Sequence, residues 1–160
     1  MGDTPRVVFV DTSVMTCLLD VPGKNQDREE VIPQYQQYVD GGVTMILPVT
    51  SVVETGNHIA QLADGRLRRE AAIRFDRTLA KVESGVAPWI PNELTWDPAM
   101  VGRLRNSEVT GDDLVERLAQ KVGAGDCMIL AERAEYSERS KIQLEDITVW
   151  TLDDGLAARS

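Results

Sequence analysis

Four acidic residues are the side chains of this 160-residue sequence best suited to chemistry. Each ends a predicted strand or lies near the start of a predicted helix: Asp11, Glu54, Asp126 and Asp153. Carboxylate oxygens are the ligands that Mg²⁺ and Mn²⁺ prefer, and carboxylates crowded together repel one another unless protons or cations neutralise them. The set therefore predicts a metal centre. Asp11, Asp126 and Asp153 would bind an ion, and Glu54 would bind a second ion or orient a water.

A carboxylate-bound metal ion suits the hydrolysis of a phosphodiester bond. That reaction needs an activated water, neutralised phosphate oxygens and support for the leaving oxygen, and metal ions supply all three. The product ends would be a 5′-phosphate and a 3′-hydroxyl. One histidine, His58, and two cysteines, Cys17 and Cys127, exclude HExxH, three-histidine and zinc-knuckle sites. Ser13 is placed to hydrogen-bond a ligand carboxylate or a phosphate.

Each acid also has a purely structural interpretation. Asp11 and Asp126 could cap the helices that follow them, Glu54 could complete a capping box with Ser51, and Asp153 could be a turn residue. A cap contributes about 1 kcal/mol, so each of these alternatives is reasonable alone. The functional interpretation depends on all four acids sharing one edge of the fold.

The elements that must position these acids alternate between strands and helices. Apolar, β-branched runs predict strands at Val7–Val10, 43–47 and 147–152, with a short extended piece at 89–90. Helices are predicted at 14–19, 28–39, from 51, at 66–83, from 98, at 114–122 and from 126 to 134 or 136. Strands separated by helices need crossover connections, so the sheet should be parallel and covered by helices. Ligands bind at the carboxyl ends of such strands, which is where the acids fall.

The composition predicts a soluble globular domain. Apolar residues make up 42% of the chain and charged residues 27%, which is ordinary for such a domain. The longest apolar stretches, such as 43–49, are far shorter than the roughly 20 residues of a membrane span, and the first residues do not resemble a signal peptide. We therefore expect a cytoplasmic protein without membrane contacts. The net charge of −9 argues against a simple basic nucleic-acid-binding surface, but not against an enzyme that reaches nucleic acid through metal ions.

Four segments together resemble the motifs of PIN-domain nucleases: VFVDTSV at 8–14, PVTSVVE at 48–54, GDCMILA at 125–131 and VWTLD at 149–153. That family includes the ribonuclease toxins of bacterial toxin–antitoxin pairs. The resemblance spans residues 7–154 and implies a three-layer α/β/α fold with a central parallel sheet and Mg²⁺- or Mn²⁺-dependent cleavage of RNA. It matches the four acids to the family's acidic positions and Ser13 to its hydroxyl position. The partners that the resemblance implies are an RNA substrate and, as further candidates, an antitoxin and a second copy of the chain.

The sequence departs from that pattern in three places. Asp154 is an alternative to Asp153 for the family's last acidic position, although the Thr-x-Asp spacing from Thr151 favours Asp153. The stretch 84–123 is long and proline-rich, which predicts an insertion within a single domain covering 1–160; inside it, residues 110–113 are predicted to open a helix. The given sequence stops at Ser160, where many relatives continue to another strand, so we expect an edge strand to be lacking or replaced.

A basic stripe is predicted on the helix at 66–83, within roughly 140° of arc and opposite its apolar face. Its members are Arg66, Arg69, Arg74, Arg77 and Lys81. A solvated polar face is the simplest interpretation, with Glu70 pairing to Arg66 or Arg74. In an acidic protein, the stripe is also a candidate surface for RNA phosphates or for an acidic partner segment.

Other classes of protein explain the acids less well. Haloacid-dehalogenase phosphatases need a second Asp two positions after the first, where this chain has Ser13. Response-regulator receivers need a lysine on a late strand, and the predicted strand at 147–152 has none. The remaining alternative is a catalytically silent PIN-like scaffold that only binds a protein or RNA partner.

Overall fold

The computed structural model describes residues 4–106 and 113–160. Four strands form one sheet: β1 (Val7–Val10), β2 (Thr44–Leu47), β3 (Trp89–Pro91) and β4 (Ile147–Trp150). Their order is β3-β2-β1-β4, and every neighbouring pair is parallel. In the central register, Val8 lies opposite Met45 on one side and Thr148 on the other. The predicted parallel α/β fold is confirmed.

Eight α-helices lie within the described ranges. They are α1 (Thr12–Leu18), α2 (Arg28–Asp40), α3 (Val49–Ala60), α4 (Gly65–Glu83), α5 (Pro98–Arg105), α6 (Leu114–Ala119), α7 (Ala124–Ser140) and α8 (Asp154–Ala157). One turn of 3₁₀-helix, Leu144–Asp146, leads into β4. Among the described residues, no helix has the length and apolar character needed to cross a membrane.

The sheet separates two hydrophobic layers, because successive side chains of a strand point to opposite faces. Val8 and Val10 pack among residues of α1–α4. Phe9 packs on the other face among residues of α7 and α8, with its ring 5.6 Å from that of Tyr136 in an edge-on contact. The fold is therefore the three-layer α/β/α arrangement that was expected.

Two arginines anchor the C-terminal end of α1, whose last carbonyls have no partner within the helix. Arg28 of α2 donates from Nη1 to the carbonyls of Cys17 and Leu18, at 2.5 and 2.8 Å. Arg74 of α4 donates from Nε to the carbonyl of Leu19 at 2.8 Å. These bonds fix the helix that directly follows the first candidate acid.

Several element boundaries differ from the prediction. Helix α1 begins at Thr12, two residues early, and β4 ends at Trp150 rather than at 152. Helix α7 extends to Ser140 instead of ending near 134–136. The middle of α7 contains two buried charged residues, Glu132 and Arg133. They interrupt the apolar periodicity from which a helix is predicted.

The described residues of the stretch 84–123 contribute to the core of the fold. It supplies the edge strand β3, where buried Trp89 packs 5.6 Å from Tyr35, and it supplies α5, which packs against α7. Helix α6 ends at Ala119, three residues before the predicted end. The predicted helix start at 110–112 lies outside the described residues.

Candidate metal centre

The four predicted acids lie at the carboxyl edge of the sheet. Asp11 directly follows β1 and is 6% exposed. Glu54 is the sixth residue of α3, the helix after β2, and Asp126 is the third residue of α7. Asp153 follows β4 and precedes α8. The topology thus gathers the set that the sequence pattern predicted.

Hydroxyl groups hold one oxygen of Asp11. Its Oδ2 accepts hydrogen bonds from Ser13 Oγ at 2.9 Å and from Thr151 Oγ1 at 2.7 Å. The two hydroxyls are themselves fixed, because the backbone N–H groups of Leu152 and Asp153 donate to them at 3.0 Å. Ser13 therefore binds a candidate ligand carboxylate, one of its two predicted roles. Thr151, noticed in the sequence only for its spacing, is a second support of the same oxygen.

Glu54 is held by Thr12 rather than by a local cap. Thr12 Oγ1 donates to Glu54 Oε2 at 2.7 Å, across 42 positions of sequence. The predicted capping box with Ser51 is wrong, because α3 begins at Val49, and Ser51 lies inside it, donating instead to the carbonyl of Val10 at 2.7 Å. Glu54 is therefore free of a capping role.

Helices α3 and α7 approach each other closely at Glu54. A Cβ built on Gly125 would overlap Glu54 Oε1 and would lie 3.1 Å from its Cδ. Gly125 immediately precedes Asp126, so this contact brings the Glu54 carboxylate beside the first turn of α7. The sequence does not predict a contact of Thr12 or Gly125 with Glu54, because only the folded chain brings these residues together.

The electrostatics of Asp126 show that the acids interact. Burial raises the pKa of the Asp126 carboxyl, and the charges of Asp11, Asp153 and Glu54 raise it further, to about 6; Arg159 acts in the opposite direction. A carboxyl in this position gains a proton, or a cation, more readily than one in water. The excess negative charge at this edge is the electrostatic condition that favours a bound divalent ion.

The donor set fits a hard cation by its chemistry, since it consists of carboxylate oxygens. Across residues 4–106 and 113–160, no three His, Cys, Asp or Glu side chains are grouped closely enough to form a ready-made metal cage. Mg²⁺ commonly keeps several of its waters and takes one or two carboxylates. An ion bound in that mode needs only one or two of the four acids.

Asp153 caps a helix and also acts electrostatically on another of the four acids. Its Oδ1 accepts the N–H of Leu156 at 2.7 Å and so caps α8. Its charge also raises the pKa of Asp126, whereas Asp154 is not among the charges that do so. Asp153 is therefore the better candidate of the two. Asp11 occupies the N-cap position of α1 without any side-chain capping bond.

The predicted basic stripe is divided in the structure. Arg66 forms an ion pair with Glu70 at 2.8 Å, and Arg74 is used in anchoring α1. The side chains of Arg69, Arg77 and Lys81 belong to exposed residues and form no hydrogen bond or ion pair with another described residue. Three of the five cations are thus available to a partner.

No protein-family model, curated protein or solved structure matches this chain. Because one fold supports many unrelated chemistries, the residues of the site must carry the functional interpretation.

Proposed function

We propose that the protein is a metal-dependent endoribonuclease that hydrolyses RNA phosphodiester bonds. The observation that carries this proposal is the placement of four carboxylates at one edge of the sheet, where burial and the charges of the other three raise the pKa of Asp126 to about 6. Mg²⁺ or Mn²⁺ would be held by Asp11, Glu54, Asp126 and Asp153. The motif resemblance to PIN-domain nucleases supports RNA as the substrate.

The chain's own residues would provide position and charge. Asp11 is presented rigidly, because Ser13 and Thr151 fix its Oδ2 and leave Oδ1 for a ligand. Glu54, fixed at Oε2 by Thr12, can accept a hydrogen bond from the attacking water at Oε1. When bound, the metal ion would neutralise phosphate oxygens and lower the pKa of that water.

The exposed cations of α4 provide a surface for RNA. Arg69, Arg77 and Lys81 are the members of the stripe with no internal partner in the described chain. A polyanion approaching a protein of net charge −9 needs such a local excess of positive charge. If the nuclease is the toxin of a toxin–antitoxin pair, an antitoxin and a second copy of the chain are its further proposed partners. The cytoplasm is its proposed location.

The test is cleavage of a single-stranded RNA by metal-free protein supplied with Mn²⁺ or Mg²⁺. We expect internal cuts that leave 5′-phosphate and 3′-hydroxyl ends, abolished by EDTA and by Asp11→Asn. Asp154→Asn is the matched control and should keep most of the activity. Cleavage that persists in EDTA, or in Asp11→Asn, would contradict the proposal.

A silent scaffold is the second candidate. It is favoured by the lack of a ready-made three-ligand group among the described residues. A scaffold would bind RNA or a protein partner without Mn²⁺ and would yield no RNA cleavage at any metal concentration.

A further inference from the structure

Thr12 is buried beside the candidate metal centre, where it contacts a carboxylate. It is the first residue of α1, directly after Asp11, and it is 6% exposed. Its hydroxyl donates to Glu54 Oε2 at 2.7 Å. A buried hydroxyl that donates to a carboxylate fixes both the position and the rotation of that carboxylate.

Gly125 closes the other side of Glu54. A side chain at this position would overlap Oε1, and its Cβ would also lie 3.4 Å from Thr50 Cγ2. Glycine is among the poorest helix formers, so its presence in the first turn of α7 needs a physical reason. The close approach of Glu54 provides that reason.

We infer that Thr12 and Gly125 are positioning residues that make Glu54 a one-oxygen donor. Thr12 occupies Oε2, and the missing side chain of Gly125 leaves room for Oε1 beside Asp126. Asp11 is arranged in the same way, since two hydroxyls share its Oδ2. Each acid then contributes one oxygen and leaves the remaining coordination positions to water and substrate, as Mg²⁺ prefers. The inference rests on the proposed metal-dependent function.

Mn²⁺ titration of the metal-free full chain by calorimetry tests the role of Thr12. Thr12→Val keeps the shape and removes the hydroxyl, and it should weaken Mn²⁺ binding by about 10-fold or more, as is typical when a support of a ligand is lost. Thr12→Ser should restore affinity close to that of the parent. Thr16→Val is the matched control: Thr16 is also buried in α1, but its hydroxyl donates only to the carbonyls of Thr12 and Ser13. It should leave Mn²⁺ affinity unchanged.

Gly125→Ala tests the other side of Glu54 and serves if Thr12→Val does not fold. It should weaken Mn²⁺ binding, whereas Gly102→Ala in α5 should not, because a Cβ at Gly102 meets no atom within 4 Å. In RNA cleavage, both site variants should lower kcat and leave the KM for RNA nearly unchanged.

The outcomes distinguish a failure of the positioning inference from a failure of the proposed metal-dependent function. If the parent binds Mn²⁺ and both Thr12→Val and Gly125→Ala bind it equally well, the positioning inference is overturned while the proposed function stands. If Thr16→Val loses as much affinity as Thr12→Val, the effect is one of packing and the inference is also overturned. If the parent binds no Mn²⁺, the proposed function fails and the inference fails with it.

Discussion

Two of the acids on helix α7 lie in contrasting environments, Asp126 in its first turn and Glu132 in its middle. The pKa of Asp126 is raised to about 6 and that of Glu132 to about 7, and burial is the largest cause of both shifts. Around Asp126, three more carboxylates add to the shift. Around Glu132, which is 0% exposed, a 3.3 Å hydrogen bond from Asn92 opposes the shift and the charge of Glu135 adds to it.

The difference distinguishes a site that favours a cation from one that favours a proton. Asp126 shares an edge with other acids, and a divalent ion there would relieve the repulsion among all of them. Glu132 is enclosed by protein, and its Oε1 has no hydrogen-bond partner in the described chain. Protonation removes the charge whose burial is costly. Similar pKa shifts on one helix therefore predict different responses to metal and to pH.

Asp126→Asn should produce the largest effect. We expect Mn²⁺ affinity and RNA cleavage to fall by more than about 100-fold, because a proposed ligand is lost rather than a support of one. The metal-free protein should be as stable as the parent at pH 7.5, or more stable, because the substitution removes a repelling charge. Calorimetry, cleavage assays and thermal unfolding measure these quantities. Loss of stability without loss of Mn²⁺ affinity would remove Asp126 from the metal centre.

The adjacent acids Asp153 and Asp154 provide the next test. Asp153→Asn should lose most cleavage activity, while stability changes little, because asparagine caps a helix about as well as aspartate. Asp154→Asn should keep most activity. The reverse result in cleavage assays would move the site by one residue.

Glu132→Gln should act on stability alone and in a direction set by pH. The folded pKa of Glu132 lies above its ordinary value of 4.5, so its contribution to stability is full below about pH 4.5 and is lost as the pH rises through 7. The loss is at most about 3 kcal/mol in the parent, by the usual conversion of a pKa shift. The Gln variant should therefore match the parent near pH 4 and be more stable at pH 8, measured by denaturant unfolding. Its Mn²⁺ affinity should equal that of the parent. A change in Mn²⁺ affinity would contradict the proposed difference between the two acids, because it would show that Glu132 also affects metal binding.

The smallest effects are expected on α4. Arg69→Gln with Arg77→Gln should weaken RNA binding at low salt and leave Mn²⁺ affinity nearly intact, with stability changed by no more than about 0.5 kcal/mol. The effect should shrink as salt rises. On a single strand, the logarithm of the binding constant falls against the logarithm of the salt concentration with a slope of about −0.7 per phosphate contact.

Arg74→Gln is the matched contrast on the same helix. It should destabilise the fold by about 1 kcal/mol, because it removes bonds to the carbonyls at the end of α1. RNA affinity should be unchanged. If the double variant of Arg69 and Arg77 binds RNA as the parent does but loses affinity for an acidic partner segment, the stripe serves that partner. If it affects neither, the stripe is a solvated helix face.

Periodicity and strand ends predicted most of the fold and the location of the acids. The β-branched runs of β1, β2 and β4 and the order of strands and helices were enough to indicate a parallel sheet, and the parallel sheet placed the acids at one edge. The order of the strands was not predicted. The extended piece at 89–90 was predicted, but its pairing with β2 as an edge strand was not, because that pairing depends on tertiary packing.

The contacts of the acids could not be predicted from local patterns. The spacing of Ser51 and Glu54 imitates a capping box, yet Ser51 donates to Val10 and Glu54 accepts from Thr12, both more than 40 positions away. Buried Arg133 likewise has a non-local reason, since it donates to the carbonyl of Ile147 at 2.6 Å. Such partners are decided by packing, which no short window of sequence contains.

Calorimetric titration of Mn²⁺ into the metal-free protein tests the central claim most directly. At pH 7.5 we expect binding, and at pH 5.5 we expect weaker binding, because Asp126, with a pKa of about 6, must then release a proton to bind metal. Asp11→Asn and Asp126→Asn should abolish the signal at pH 7.5. If the parent shows no binding at millimolar Mn²⁺ and pH 7.5, the four acids do not form a metal centre.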